Sequence, residues 1–223
     1  MQKNELVSKI EIFAPLELTE KWDCSGWLVE TSKTYINKVL LCLTVTNEII
    51  KQAKDLNCDM IISHHPLFSV PLDWKDIDIY CAHTNMDRAN GGTTDTLIKT
   101  LGLRVSKIDD FVRYVDIEIS FAELYKKLKK ISSNLRFVNN NNKTIFKRIA
   151  FCAGSGSEFI NLAYKNGADC FVTGDLKFHT VIESPIPVFD IGHFESEIGV
   201  LQVFKDLIDV ETIFASEKSP FQY

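Results

Sequence analysis

The sequence holds five histidines, His64, His65, His83, His179 and His193. Each falls at or near the end of a predicted strand or the start of a predicted helix, beside carboxylates or glycines. Open α/β sheets place ligand sites at such edges, at the carboxyl ends of their strands. His64 and His65 are adjacent and followed by Pro66. On a regular strand neighbouring side chains point to opposite faces, so two adjacent imidazoles serve one place only where the strand stops. Pro66 supplies that stop, because it has no N–H for a ladder hydrogen bond. His83-Thr-Asn-Met-Asp87 ends the next apolar run, so Asp87 can bring an anionic oxygen towards the His64-His65 position. Gly192-His193-Phe-Glu-Ser-Glu197 places an imidazole and a carboxylate at i and i+4 on one helix face. Three imidazoles and two carboxylates suit two divalent ions, Zn, Mn, Fe or Co, better than Ca or Mg alone. A carboxylate can bridge two cations and a neutral imidazole cannot, which makes Glu197 the bridging ligand and a candidate catalytic group. Two ions about 3.5–4 Å apart would lower the pKa of a shared water, which is general hydrolytic chemistry.

Plainer readings compete at each point. The histidine pair also fits a polar loop with one buried, hydrogen-bonded imidazole. Asp87 before Gly91-Gly92 also fits a turn and helix cap. His83 can orient a ligand or substrate rather than bind metal. Asp175, Lys177 and His179, in Thr173-Gly-Asp-Leu-Lys-Phe-His179, are candidate substrate contacts or acid–base groups, with helix capping by Asp175 as the alternative. Ala153-Gly-Ser-Gly-Ser157 could offer backbone N–H groups to a phosphate, although a tight strand-to-helix turn explains it more simply. Glu195 points away from the His193–Glu197 face and is read as solvated.

The elements that must position these groups follow from the apolar pattern of the 223 residues. Leu6, Val7, Ile10 and Phe13 mark a first helix, Asn4 to Phe13, closed by Pro15. WDCSGWLV is a loop leading into a short strand. Near-continuous apolar runs at Val39–Val45, Met60–Ile62 and Ile77–Ala82 read as strands covered on both faces. Between the first two, Thr46 or Asn47 caps a helix carrying Ile49, Ile50, Ala53 and Leu56. Gly91-Gly92 introduces a helix through Leu101. Val112–Ile119 is a further strand, and Ser120-x-x-Glu123 a capping box. Leu135–Val138 and Ile145–Cys152 read as a hairpin around the polar run 139–143. Cys170–Thr173 and Val188–Ile191 are strands, a last helix runs from about Phe194 to Ile208, and Thr212–Phe214 closes the fold as an edge strand. The class is α/β: two units with mainly parallel or mixed sheets covered by helices, and the metal site in the cleft between them. The units are read as 1–111 and 112–204, with 205–223 a C-terminal segment that can return to the first.

Composition narrows the classes of function. Charged residues make up 25% and hydrophobic residues 45%, an ordinary globular mixture. The net charge of −5 gives no global attraction to nucleic acid or anionic lipid. No apolar run approaches the ~20 residues needed to cross a bilayer, and the first residues lack a signal-peptide core, so a cytoplasmic location without membrane association is expected. None of the six cysteines forms a C-x-x-C pair; buried free thiols are expected rather than a disulfide framework.

ISHHPLFS, AHTNMDRANGG, the GSGS loop followed by GADCFVTGDLKFH, and DIGHFESE resemble, in that order, the motifs of the NIF-three-like family, often described as GTP cyclohydrolase 1 type 2 homologues. The resemblance runs from WDCSG to the last helix. It implies two α/β domains, a ring-shaped homohexamer and a dinuclear metal site held by His64, His65, Asp87, His193 and Glu197. The family's W-D-N-x-G reads Trp22-Asp23-Cys24-Ser25-Gly26 here, with a thiol in place of an amide. The activity implied is metal-dependent hydrolysis of a nucleotide or small phosphorylated molecule, with His83 and His179 as further candidate catalytic groups. The alternative is a non-catalytic metal-binding ring that works through protein partners.

Overall fold

The computed structural model describes residues 1–221. In chain order its helices and strands begin with α1 (Lys3–Phe13), β1 (Gly26–Val29), β2 (Lys38–Cys42), α2 (Asn47–Asp55), β3 (Met60–Ser63), β4 (Asp78–Cys81), α3 (Thr84–Arg88) and α4 (Thr93–Thr100). They continue with β5 (Lys107–Asp109), β6 (Val112–Ser120), α5 (Phe121–Lys129), β7 (Arg136–Val138), β8 (Ile145–Phe151), α6 (Ile160–Lys165) and β9 (Cys170–Thr173). The last are α7 (Phe178–Ile182), β10 (Val188–Asp190), α8 (His193–Glu197), α9 (Val200–Leu207) and β11 (Glu211–Phe214).

The described chain divides into two compact units, residues 1–92 with 200–218, and 93–199 with 219–221. These bounds differ from those read from the sequence, which set the division at 111. Helix α4 accounts for the difference. Its Leu97 and Ile98 enter a core shared with β6, β8 and β9, and its Asp95 accepts a 2.5 Å hydrogen bond from the fully buried Arg113 of β6.

The first unit is built on a five-stranded sheet in the order β1-β4-β3-β2-β11. All its neighbours are parallel except β1, which runs antiparallel to β4. Every residue of β3 and β4 is buried, which is why these strands read as near-continuous apolar runs rather than alternating ones. Helix α2 starts where the Thr46 hydroxyl accepts a hydrogen bond from the Ile49 N–H, and it turns Ile49, Ile50 and Ala53 inward. Strand β11 pairs in parallel with β2 at the sheet edge, as expected for residues 212–214.

The second unit carries a six-stranded mixed sheet in the order β5-β6-β8-β9-β10-β7. Helix α5 opens with the predicted reciprocal capping box of Ser120 and Glu123. The expected hairpin between residues 135–138 and 145–152 does not form. Strand β8 pairs with β6 and β9 instead, and β7 pairs antiparallel with β10 at the far edge. The reason is burial: Ile149, Ala150 and Phe151 are fully buried and take the centre, while Arg136 and Phe137 of the three-residue β7 are exposed. The predicted last helix is likewise two helices. It breaks at Ile198-Gly199, where glycine has poor helix propensity and the chain passes from the second unit to the first.

Candidate metal centre

In the first unit, β3 delivers His64 and His65 at its carboxyl end, and β4 delivers His83 and the short helix α3 that carries Asp87. Main-chain hydrogen bonds from His64 N to Cys42 O (3.2 Å) and from His65 N to Leu43 O (2.7 Å) hold the histidine pair just beyond the ladder. The three imidazoles cluster, with ring centroids 5.2 Å apart for His64–His65, 5.2 Å for His64–His83 and 5.8 Å for His65–His83. His64 is fully buried, and its Nε2 lies 3.4 Å from Asp87 Oδ1. One possible ligand atom from each of His64, His83 and Asp87 lies within 4.8 Å of the others.

The side chains behind these groups set their tautomers. His64 Nδ1 is 2.9 Å from Ala82 O; a carbonyl only accepts, so Nδ1 carries a proton, which in the neutral ring leaves the lone pair on Nε2. His83 Nδ1 donates to Asp23 Oδ1 at 3.1 Å, which fixes the same tautomer. His65 Nδ1 and Thr44 Oγ1 are 2.6 Å apart. The Asp23 side chain is wholly buried. It accepts from Cys24 N (2.7 Å), Ser25 Oγ (2.8 Å), Thr84 N (3.1 Å) and Thr84 Oγ1 (2.6 Å). Burial pushes the Asp23 pKa up, but hydrogen bonds from His83, Thr84 and Ser25 outweigh it and hold the carboxyl well below its usual range. The exposed Cys24, which stands where the family motif has an amide, contributes its backbone N–H to this arrangement.

In the second unit, α8 carries His193 and Glu197 with Nε2 and Oε2 3.1 Å apart. His193 Nδ1 donates to Asp175 Oδ2 at 2.7 Å. Burial lowers the His193 pKa, but Glu197 and then Asp175 overcome it and raise the pKa to about 9. An imidazole with a carboxylate on each nitrogen marks a place arranged for positive charge. Glu197 is 3% exposed. The GSGS loop packs against it: a Cβ built on Gly154, at φ +67°, would sit 2.2 Å from Glu197 Oε1. Gly154 N donates to Ser196 Oγ (2.8 Å), and Gly156 N to Thr173 Oγ1 (2.9 Å). Two of the N–H groups considered for a phosphate therefore already serve the fold, and the loop acts as the tight turn. A Cβ on Gly174 would lie 2.8 Å from the main chain of Gly192 and His193, so only glycine lets the end of β9 approach the start of α8 this closely.

Asp175 adopts a left-handed φ of +54° and holds His193 rather than capping α7, whose N-cap is Lys177. His179 is exposed on α7 and joins no group of three possible metal ligands among the described residues. Glu195, read as solvated, is half-buried and folds back on Gly192. Sequence reasoning missed Asp23 as the holder of His83, Thr44 as the partner of His65, and Gly154 as the surface against Glu197. Asp23 left a trace in the Asp-Cys-Ser turn before β1 and Gly154 in the GSGS loop, whereas Thr44 left none.

The chain is thus a two-unit α/β protein with histidines and carboxylates gathered at the carboxyl ends of its strands. The chain belongs to the Duf34/NIF3 (NGG1p interacting factor 3) family, whose model matches residues 1–220. It is 34% identical over 262 residues to a GTP cyclohydrolase 1 type 2 homolog of Clostridium perfringens, covering 100% of both chains. A Campylobacter jejuni protein of the same description is also 34% identical, over 246 residues, again with 100% of both chains covered. Among solved structures, reduced HcgD from Methanocaldococcus jannaschii superposes with a TM-score of 0.84 at 27% identity, covering 97% of this chain and 98% of that one. Among the described residues, no helix is long and apolar enough to cross a membrane.

Proposed function

We propose that this chain is a metal-dependent hydrolase of a nucleotide or small phosphorylated substrate. It holds two divalent ions, Zn, Mn, Fe or Co, through His64, His65, Asp87, His193 and Glu197, with Glu197 bridging. The observation that supports this most is the clustering itself: one possible ligand atom from each of His64, His83 and Asp87 lies within 4.8 Å of the others, with His64 Nδ1 turned to Ala82 O at 2.9 Å and its Nε2 3.4 Å from Asp87 Oδ1. The donor set fits the ions. Imidazole nitrogens and carboxylates match these metals, and the cysteines, five of them buried, lie outside the set. Ions held there would act as Lewis acids towards water and an electron-poor substrate centre. In the chain itself, Ala82 O and Asp23 fix imidazole tautomers, and Asp175 orients His193.

Turnover in a screen of nucleotides and phosphoesters with the metal-loaded protein tests this reading. Hydrolysis that Glu197→Ala abolishes while the fold survives is expected; no turnover of any compound by fully loaded protein would overturn it. The homohexamer belongs to the same proposal and is read by light scattering. A second reading, a metal-binding ring that works through protein partners, draws support from the family's description as an interacting factor. It predicts partner capture that persists in Glu197→Ala.

A further inference from the structure

We propose that His83 is itself a metal ligand, a third donor to the ion held by His64 and Asp87, with Asp23 as its positioning residue. The inference rests on the metal site proposed above and enlarges its ligand set. Three observations converge on it. First, the possible ligand atoms of His64, His83 and Asp87 lie within 4.8 Å of one another. Metal bonds of about 2.1 Å at tetrahedral angles set two donors to one ion about 3.4 Å apart, and His64 Nε2 and Asp87 Oδ1 already stand at 3.4 Å, so only His83 has to close in. Second, His83 is held the way ligating histidines are held. Such a residue donates its other ring N–H to a carboxylate or carbonyl, which fixes the ring and makes the ligating nitrogen more basic. His83 donates Nδ1–H to Asp23, and His64 donates Nδ1–H to Ala82 O. The two rings are supported in parallel fashion, each with Nδ1 turned to an oxygen acceptor, so that the neutral ring offers its lone pair at Nε2.

Third, Asp23 is built to stay in place. Its wholly buried carboxylate accepts from two main-chain N–H groups and two hydroxyls in addition to His83. A group that only had to fill space beside His83 would not need to bury a carboxylate, which is costly unless it is fully hydrogen-bonded. The Trp22 and His83 rings pack in a T-shaped arrangement at 5.9 Å between centroids, so the residue before Asp23 touches the same imidazole. Two imidazoles and one carboxylate form a ligand trio that leaves open positions on the ion, and here the trio comes entirely from the first unit.

The test is titration of metal-free full-length protein with Co2+, followed by calorimetry and by the visible ligand-field spectrum. His83→Ala is expected to weaken one Co2+ ion by ten-fold or more and to change its spectrum. Asp23→Asn, which keeps the side-chain shape, is expected to weaken the same ion by about ten-fold to a hundred-fold, as loss of such supporting partners does. If the variants do not fold, the wild-type Co2+ protein decides. Its paramagnetically shifted, exchangeable imidazole N–H resonances should include that of His83, held by Asp23. Wild-type protein that binds Co2+ without a shifted His83 signal, or a folded His83→Ala that matches wild type in affinity and spectrum, overturns this inference alone. Wild-type protein that binds no Co2+ overturns the metal-site reading along with it.

Discussion

Gly154 and Glu197 stand so close that a single methyl group on the glycine would meet the carboxylate, at 2.2 Å from Oε1. The contact joins a loop between β8 and α6 to a side chain on α8, within the second unit. Gly154 also has a left-handed φ of +67°, which costs an L-residue roughly 1–2 kcal/mol. Gly154→Ala is therefore expected to destabilise the protein by about that amount and to turn the Glu197 carboxylate out of its position. Denaturant unfolding reads the first effect. Metal titration reads the second, as a loss of affinity of at least several-fold. A variant with wild-type affinity would show that the carboxylate position is not set by this contact.

Asp95→Ala should be costly for a different reason. The Arg113 side chain is fully buried and donates to Asp95 Oδ2 at 2.5 Å and to Asp110 O at 2.5 Å. Removing the carboxylate from a buried pair leaves charge uncompensated, at a cost of about 3–5 kcal/mol. The expected outcome is a large drop in the urea midpoint, with metal affinity at His64 retained. A loss under 1 kcal/mol would contradict the pairing.

Ser120→Ala removes the hydroxyl half of the capping box on α5, where Ser120 Oγ accepts from Glu123 N and the Glu123 carboxylate accepts from Ser120 N. The expected cost is about 1 kcal/mol. Equilibrium unfolding measures it.

Acid should weaken the second unit through Asp169. Burial raises the Asp169 pKa, but the Lys143 ammonium and the N–H groups of Lys147 and Arg148 outweigh it and hold the pKa below its ordinary value. For a carboxyl lowered on folding, the stabilisation is fully present above the unfolded pKa, about 3.9, and is lost as pH falls through the lower folded value. The urea midpoint of wild type should therefore fall with decreasing pH below about 4. Asp169→Asn should start lower and lose less over the same range. Parallel acid limbs in the two proteins would remove Asp169 from the account.

How much of this was legible in the sequence depends on how local each signal is. Strands β2, β3 and β4 were readable because burial on both faces leaves a continuous apolar run. The caps at Thr46 and Ser120 were readable because their chemistry lies within four residues. The pairing of β7 with β10 was not, because nothing near residues 136–138 records a partner about 50 residues away. The donor side chains stood out by type and spacing, His193 and Glu197 above all. Their supports did not. Asp23 reaches His83 across 60 residues, Thr44 reaches His65 across 21, and Gly154 meets Glu197 only once the loops are folded.

The proposed function requires two divalent ions per chain, and elemental analysis of the natively purified protein counts them. Close to two equivalents of transition metal per chain are expected, falling substantially in His64→Ala and in Glu197→Ala. Native protein with only trace metal, which also takes up none when Zn2+, Mn2+, Fe2+ or Co2+ is supplied, would contradict it.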